Sequence, residues 1–244
     1  MLRPQCPGER ETTAPAYDLH VMQSSNALRF RVEAVIFDLD GTLADTFALI
    51  VSAWNASVGR HTGKVYTDDE VISRFGIPDP QMIRRELTGV SGDACDEAVE
   101  IYHAHYADRH AHVVTPFEGI DELLRELRRR HLPLGLMTGK GRRSAKITLE
   151  ALGWSQIFAA VVTGEDIEHQ KPHPAGPLAV ARALQIPPQY CAFVGDSPAD
   201  IGAGKAAGMI TVAAGWHPVY LEQIRQMEPD LWAEIPADVL RVVE

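Results

Sequence analysis

The stretch EAVIFDLDGTLADT, Glu33–Thr46, decides the fold. Ala34 to Phe37 is an unbroken apolar run, the pattern of a strand buried on both faces in a parallel sheet. Gly41 then marks a turn out of the strand. Asp38 and Asp40 therefore stand at the carboxyl end of a buried strand, where open α/β sheets place their ligands. Side chains alternate along a strand, so the two carboxylates point the same way. Close anions repel unless a proton or a cation lies between them. A hard divalent cation with oxygen ligands, Mg²⁺, answers that need. Read alone, the stretch also fits a metal-free acidic turn closing a core strand.

The same arrangement recurs downstream. Leu132 to Met137 is apolar and ends in Thr138-Gly139-Lys140. Ala159 to Thr163 precedes Lys171-Pro172-His173-Pro174, and Tyr190 to Val194 runs into Gly195-Asp196-Ser197-Pro198-Ala199-Asp200. Thr211 to Ala214 is a further strand, followed by a helix, a short run near Leu231 and a final helix from about Ala237. Between the strands lie helical patterns, such as Ile120, Leu123, Leu124 and Leu127. Alternating strands and helices predict an α/β fold with a doubly wound parallel sheet. Right-handed crossovers would bring the strand ends to one edge.

Taken in order, Asp38-x-Asp40-Gly41-Thr42, Thr138, Lys171-Pro-x-Pro and Gly195-Asp196-x-x-x-Asp200 resemble the four motifs of the haloacid dehalogenase superfamily, over about Val32 to Ala214. The resemblance implies a Rossmann-like core and a two-step phosphoryl transfer. Asp38 would attack phosphorus and Asp40 would serve as acid and then base. Asp38, Asp196 and the backbone carbonyl of Asp40 would hold Mg²⁺. Thr138, Gly139 and Lys171 would bind the phosphoryl oxygens, and Lys171 would keep Asp38 ionised. Thr138 alternatively caps the following helix. Asp200 would bind the metal through water or hold Lys171, or simply place charge at a helix N-terminus. Lys140 extends the likeness to the phosphoglycolate phosphatase and pyrophosphatase branch, as a substrate contact or an exposed lysine.

No strand signal appears between Thr46 and Val113. Phe47, Ile50, Val51 and Trp54 share a helical face, and Asp68, Asp69 and Glu70 open another helix. Gly76 to Pro80 reads as a loop, and a helix follows from about Asp93 to His110. In the resembling family an insertion at this point is a helical cap that closes over the active site. The expected division is residues 1–30 as a flexible extension, 31–45 and 115–244 as the core, and 46–114 as the cap. Substrate contacts are expected from the loop Phe75 to Pro80 and from Arg84 and Arg85, which suit a substrate carboxylate or second phosphate or are solvated surface charges. His103, His105, His110 and His112 recur at helical spacing but lack the i,i+4 pairing of a good metal site.

The 244 residues fit one large domain or a core with an insertion, and the net charge of -10 argues against a nucleic-acid or acidic-membrane surface. Cys6, Cys95 and Cys191 have no metal-type spacing and read as reduced thiols of a cytoplasmic protein. Residues 1–29 lack periodicity, and Met22 is an alternative start. No apolar run reaches the length of a membrane span. The expected activity is a Mg²⁺-dependent phosphatase of a small phosphorylated metabolite, phosphoglycolate-like or pyrophosphate-like, acting as a monomer or homodimer. Two alternatives stand beside it: a sugar-phosphate mutase of the β-phosphoglucomutase kind, and a binding protein that kept the fold without activity. Mutases of the superfamily often carry Val at the place of Thr42, which favours hydrolysis, and a dehalogenase needs neither Asp40 nor a metal.

Overall fold

A computed structural model describes residues 30–243 of the chain. Apart from Phe30, the proposed extension lies outside the described residues, as do Met22 and Cys6. Strand β1 (Ala34–Phe37) is followed by α1 (Phe47–Trp54), which continues through a π-helical turn into α2 (Arg60–Thr62). Then come α3 (Asp68–Ile72), α4 (Asp79–Glu86), α5 (Gly92–Val113) and α6 (Ile120–Arg129). Strand β2 (Leu134–Met137), α7 (Arg142–Ala151), β3 (Ala160–Val162) and α8 (Ala175–Leu184) lead to β4 (Cys191–Gly195). The chain ends with α9 (Pro198–Ala206), β5 (Ile210–Ala214), α10 (Leu221–Gln226) and β6 (Leu231–Ala233).

The six strands form one parallel sheet in the order β3-β2-β1-β4-β5-β6. Every residue of β1, β2 and β4 is buried, which is why these strands read as continuous apolar runs. Their side chains sort by parity. Val35, Phe37, Leu134, Leu136, Ala192 and Val194 enter one buried cluster. Ala34, Ile36, Met137, Cys191 and Phe193 enter a second, together with Val180 of α8 and Ala203 of α9. Helices thus cover both faces, the doubly wound arrangement. From β1 the chain winds outward to β3, then returns to β4 on the other side of β1. The gap between β1 and β4 is the topological switch point, and Asp38 and Asp196 follow those two strands.

Among the described residues, helices α1–α6 all fall between β1 and β2. Their apolar faces join the first cluster: Leu49, Trp54, Tyr102 and Tyr106 continue from Leu39 and Leu43. A polar link runs beside them. Asp79, at the start of α4, is buried and accepts hydrogen bonds from His103 Nε2 of α5 (2.8 Å), Gly141 N (2.8 Å) and Ser144 Oγ of α7 (3.0 Å). Burial alone would raise its carboxyl, but the His103 hydrogen bond and Lys140 hold it below the ordinary range. The four histidines make no metal cluster among the described residues. His103 serves Asp79, His110 lies 3.1 Å from Thr148 Oγ1, and His105 lies 2.8 Å from Ser52 Oγ.

Two local expectations change. Helix α4 begins at Asp79, because Pro80 sits in its first turn, where a missing N–H costs nothing. Thr138 does not cap α7: the N-cap is Gly141. The final helix expected from about Ala237 is present, as the 3₁₀ helix Pro236–Val242. No helix among the described residues is long and apolar enough to cross a membrane.

Two outcomes test this packing. A Cβ on Gly135 would lie 2.3 Å from Val180 Cγ1, so Gly135→Ala should lower the stability measured by urea denaturation by about 1–3 kcal/mol. An unchanged midpoint would contradict the close approach of β2 and α8. Asp79→Ala strands three donors and should cost about 3 kcal/mol at neutral pH. Because the folded carboxyl is depressed, its stabilisation is fully present above the unfolded value and fades as pH falls through the folded one. The difference between wild type and Asp79→Ala should therefore narrow below about pH 4 in pH-dependent denaturation curves. A difference independent of pH would reject the charged role of Asp79.

Candidate active site

Four segments at the carboxyl edge of the sheet meet at one point. Asp38 follows β1, Asp196 and Asp200 follow β4, Thr138 follows β2, and Lys171 comes from the loop after β3. Lys171 Nζ lies 2.9 Å from Asp38 Oδ1 and also hydrogen-bonds Asp200 Oδ1. The other Asp200 oxygen accepts from the Ser197 backbone N–H (3.0 Å) and hydroxyl, closing a capping box at the start of α9. Thr42 Oγ1 donates to Asp196 Oδ1 at 2.9 Å, and His217 Nδ1 lies 3.2 Å from Asp196 Oδ2. Gly41 adopts φ +80°, and a Cβ there would lie 2.2 Å from Asp196 Oδ2. Both the turn and the close approach of the carboxylate require glycine at this position.

Carboxylate oxygens of Asp38, Asp196 and Asp200 lie within 4.8 Å of one another, and all three residues are buried. Burial pushes the Asp38 carboxyl well above the usual carboxylate range; Lys171 opposes this, and Asp200, Asp196 and Asp40 add to it. The Lys171 ammonium that opposes the shift is shared with Asp200. Asp196 is likewise raised, chiefly by burial, with His217 pulling it back. Asp38 Oδ1 and Asp196 Oδ2 are buried without an aligned hydrogen bond; their contacts to Lys171 and His217 are ion-pair distances only. Two orphaned anionic oxygens beside a third carboxylate are a donor set that suits a hard divalent cation.

Asp40 lines the same cavity as Asp38, with its side chain turned to a different set of partners. Thr46 Oγ1 donates to Asp40 Oδ1, and Lys140 Nζ lies 2.8 Å from the same oxygen. Lys140 is buried and sits 4.9 Å from the centre of the Tyr106 ring. Thr138 Oγ1 accepts from the Lys140 N–H at 3.2 Å, and Thr138 and Gly139 both line the cavity. The cavity encloses about 320 Å³. Its far side is built from the inserted helices: Phe47 and Ile50 of α1, Phe75 and Ile77 before α4, Met82 of α4 and Tyr102 of α5. Arg84 and Arg85 are absent from that lining; Arg84 pairs with Asp96 on the exposed surface.

Of the loop Phe75 to Pro80, where substrate contacts were expected, Phe75, Gly76, Ile77 and Asp79 line the cavity, whereas Thr46 and His217 were not singled out in the sequence. His217 follows β5, and the strand-end rule that found the other residues would have found it too. Thr46 lies within the stretch that opened the reading, yet its bond to Asp40 depends on how the turn at Gly41 folds back. Within the loop, Asp79 has no signal of its own beyond its place between two prolines.

A family model described as haloacid dehalogenase-like hydrolase matches residues 35–214. The pyrophosphatase PpaX of Bacillus velezensis is 31% identical over 212 residues, covering 87% of this chain and 96% of the relative. Among solved structures, a predicted phosphoglycolate phosphatase from Haemophilus somnus superposes with a TM-score of 0.76 at 21% identity, covering 88% of this chain and 99% of the other. A β-phosphoglucomutase from Clostridium difficile gives a TM-score of 0.71 at 24% identity, covering 85% and 93%. The two structures share the fold, while the family model spans the whole sheet up to β5 and every carboxylate gathered at its edge. With that span matched and a relative at this identity along nearly its entire length, the chain belongs to the haloacid dehalogenase-like hydrolases.

Proposed function

We propose that the protein is a Mg²⁺-dependent phosphatase that hydrolyses a small phosphorylated metabolite through an aspartyl-phosphate on Asp38. The observation that carries this reading is the meeting of Asp38, Lys171 and Asp196, which are far apart in sequence, within one buried cluster. Asp38 and Asp196, with the backbone carbonyl of Asp40, would hold the metal, and Asp200 would orient Lys171 against it. When bound, Mg²⁺ supplies positive charge to the carboxylates and to the phosphoryl oxygens.

The side chains then divide the work. Lys171 and the Thr138 hydroxyl hold phosphoryl oxygens, with the Gly139 backbone closing the cradle. An Asp38 oxygen attacks phosphorus as the bond to the leaving oxygen breaks. Asp40 gives that oxygen its proton. Thr46 and Lys140 both bind Asp40 Oδ1, so Oδ2 is the oxygen that carries the proton. In the second step Asp40 takes a proton from water, water oxygen bonds to phosphorus, and the Asp38–phosphorus bond breaks to release phosphate. Helices α1–α5 act as a cap in this reading, placing an apolar wall over the reacting atoms and excluding bulk water. The buried, unpaired thiols of Cys95 and Cys191 are consistent with a cytoplasmic location.

Asp38→Asn should lower phosphate release by at least about a thousandfold while the circular dichroism spectrum and melting midpoint hold. Near-normal turnover in that variant would refute the nucleophile. Chelation with EDTA should abolish phosphate release by the wild type, and added Mg²⁺ should restore it; release that persists in EDTA would reject the metal requirement.

A further inference from the structure

The cavity carries a second kind of information, in its distribution of charge. Among its lining residues the ionisable acids are Asp38, Asp40, Asp79 and Asp196, and the ammonium groups are Lys140 and Lys171. Both ammoniums are committed: Lys171 contacts Asp38 and Asp200, and Lys140 contacts Asp40. A divalent cation and a phosphoryl dianion would balance one another, so no positive charge is left over for a second anion on the substrate. Among the described residues the one charged group on the cap side is Asp79, which is an anion and already receives three donors. The rest of that side is apolar, with Phe47 and Phe75 packed edge to face at 5.2 Å. Arg84 and Arg85, the cations that would have matched a carboxylate or second phosphate, are exposed outside the cavity.

We infer that the preferred substrate is a phosphate monoester of an uncharged alcohol with an apolar body, and that the site discriminates against leaving groups that are themselves anions. The inference rests on the phosphatase reading above and narrows it. An anionic leaving group, such as the carboxylate of phosphoglycolate or the second phosphate of pyrophosphate, would be desolvated against aromatic rings and the Asp79 carboxylate without a partner. An alkyl or aryl body instead buries its surface on Phe47, Ile50, Phe75, Ile77, Met82 and Tyr102.

A matched pair of esters tests this with wild-type protein and Mg²⁺: butyl phosphate against the phosphate ester of gamma-hydroxybutyrate, with phosphoglycolate and pyrophosphate alongside. Butyl phosphate should show the higher kcat/KM by about tenfold or more. Ile77→Arg places a guanidinium at the cap side of the cavity, where Ile77 is half-buried, and should reverse or abolish that preference. Equal rates, or a preference for the carboxylate-bearing ester, would overturn the inference and leave the phosphatase reading standing. Failure of a folded, Mg²⁺-loaded protein to hydrolyse any of the four would overturn both.

Discussion

The structure depends on crowding negative charge where water cannot screen it. Asp38, Asp196 and Asp200 are buried within 4.8 Å of one another, and among the described residues Lys171 is the only ammonium in contact with Asp38 and Asp200. Burial and mutual repulsion both disfavour ionisation, and a single shared lysine opposes them. Such a cluster is costly to fold and useful once folded. In the proposed reading a divalent cation would offset this charge and let Asp38 approach a phosphoryl group. The orphaned oxygens on Asp38 and Asp196 are the places where the protein leaves this interaction incomplete.

The fold supplies the crowding through connectivity. Placing β1 between β2 and β4 makes the chain reverse direction across the sheet, and the reversal leaves an open crevice beyond the strands. Gly41 lets the chain turn at the end of β1 and lets Asp196 approach its backbone. On the opposite side, Asp79 ties α4 to α5 and to the start of α7, so the apolar wall of the cavity is held to the core by a buried carboxylate. The Asp40 carboxylate is held by residues from both sides of the insertion point, Thr46 and Lys140. The carboxylate cluster and the inserted helices therefore share one polar framework, with aromatic side chains of the insert lining the same cavity.

Much of this was legible before any coordinates. The buried strands β1, β2 and β4 announce themselves because both of their faces are covered, and the residues just after them inherit the site. Asp38, Asp40, Thr138, Lys171 and Asp196 all line one cavity, as their positions after apolar runs implied. What could not be read depends on tertiary contact. Lys140 and an exposed lysine look alike in sequence, yet Lys140 is buried against Asp40 and the Tyr106 ring. Arg84 and Arg85 looked like substrate ligands because helical spacing alone does not say which face of α4 turns toward the core; Met82 and Ile83 do, and the arginines do not. Asp79 carries the link between helices, and nothing local distinguishes it from any acid at a helix start. The 3₁₀ geometry of Pro236–Val242 was also hidden, since its apolar residues Val239 and Val242 pack at a spacing that both helix types allow.

Calorimetric titration of Mg²⁺ into the intact protein and into its Asp196→Asn variant tests the central claim most directly. One Mg²⁺ site in the wild type, weakened by about tenfold or more when the Asp196 charge is removed, is the expected result. Absence of Mg²⁺ binding in the folded wild type, or equal affinity in the two proteins, would mean that the buried carboxylates do not hold the cation on which this chemistry rests.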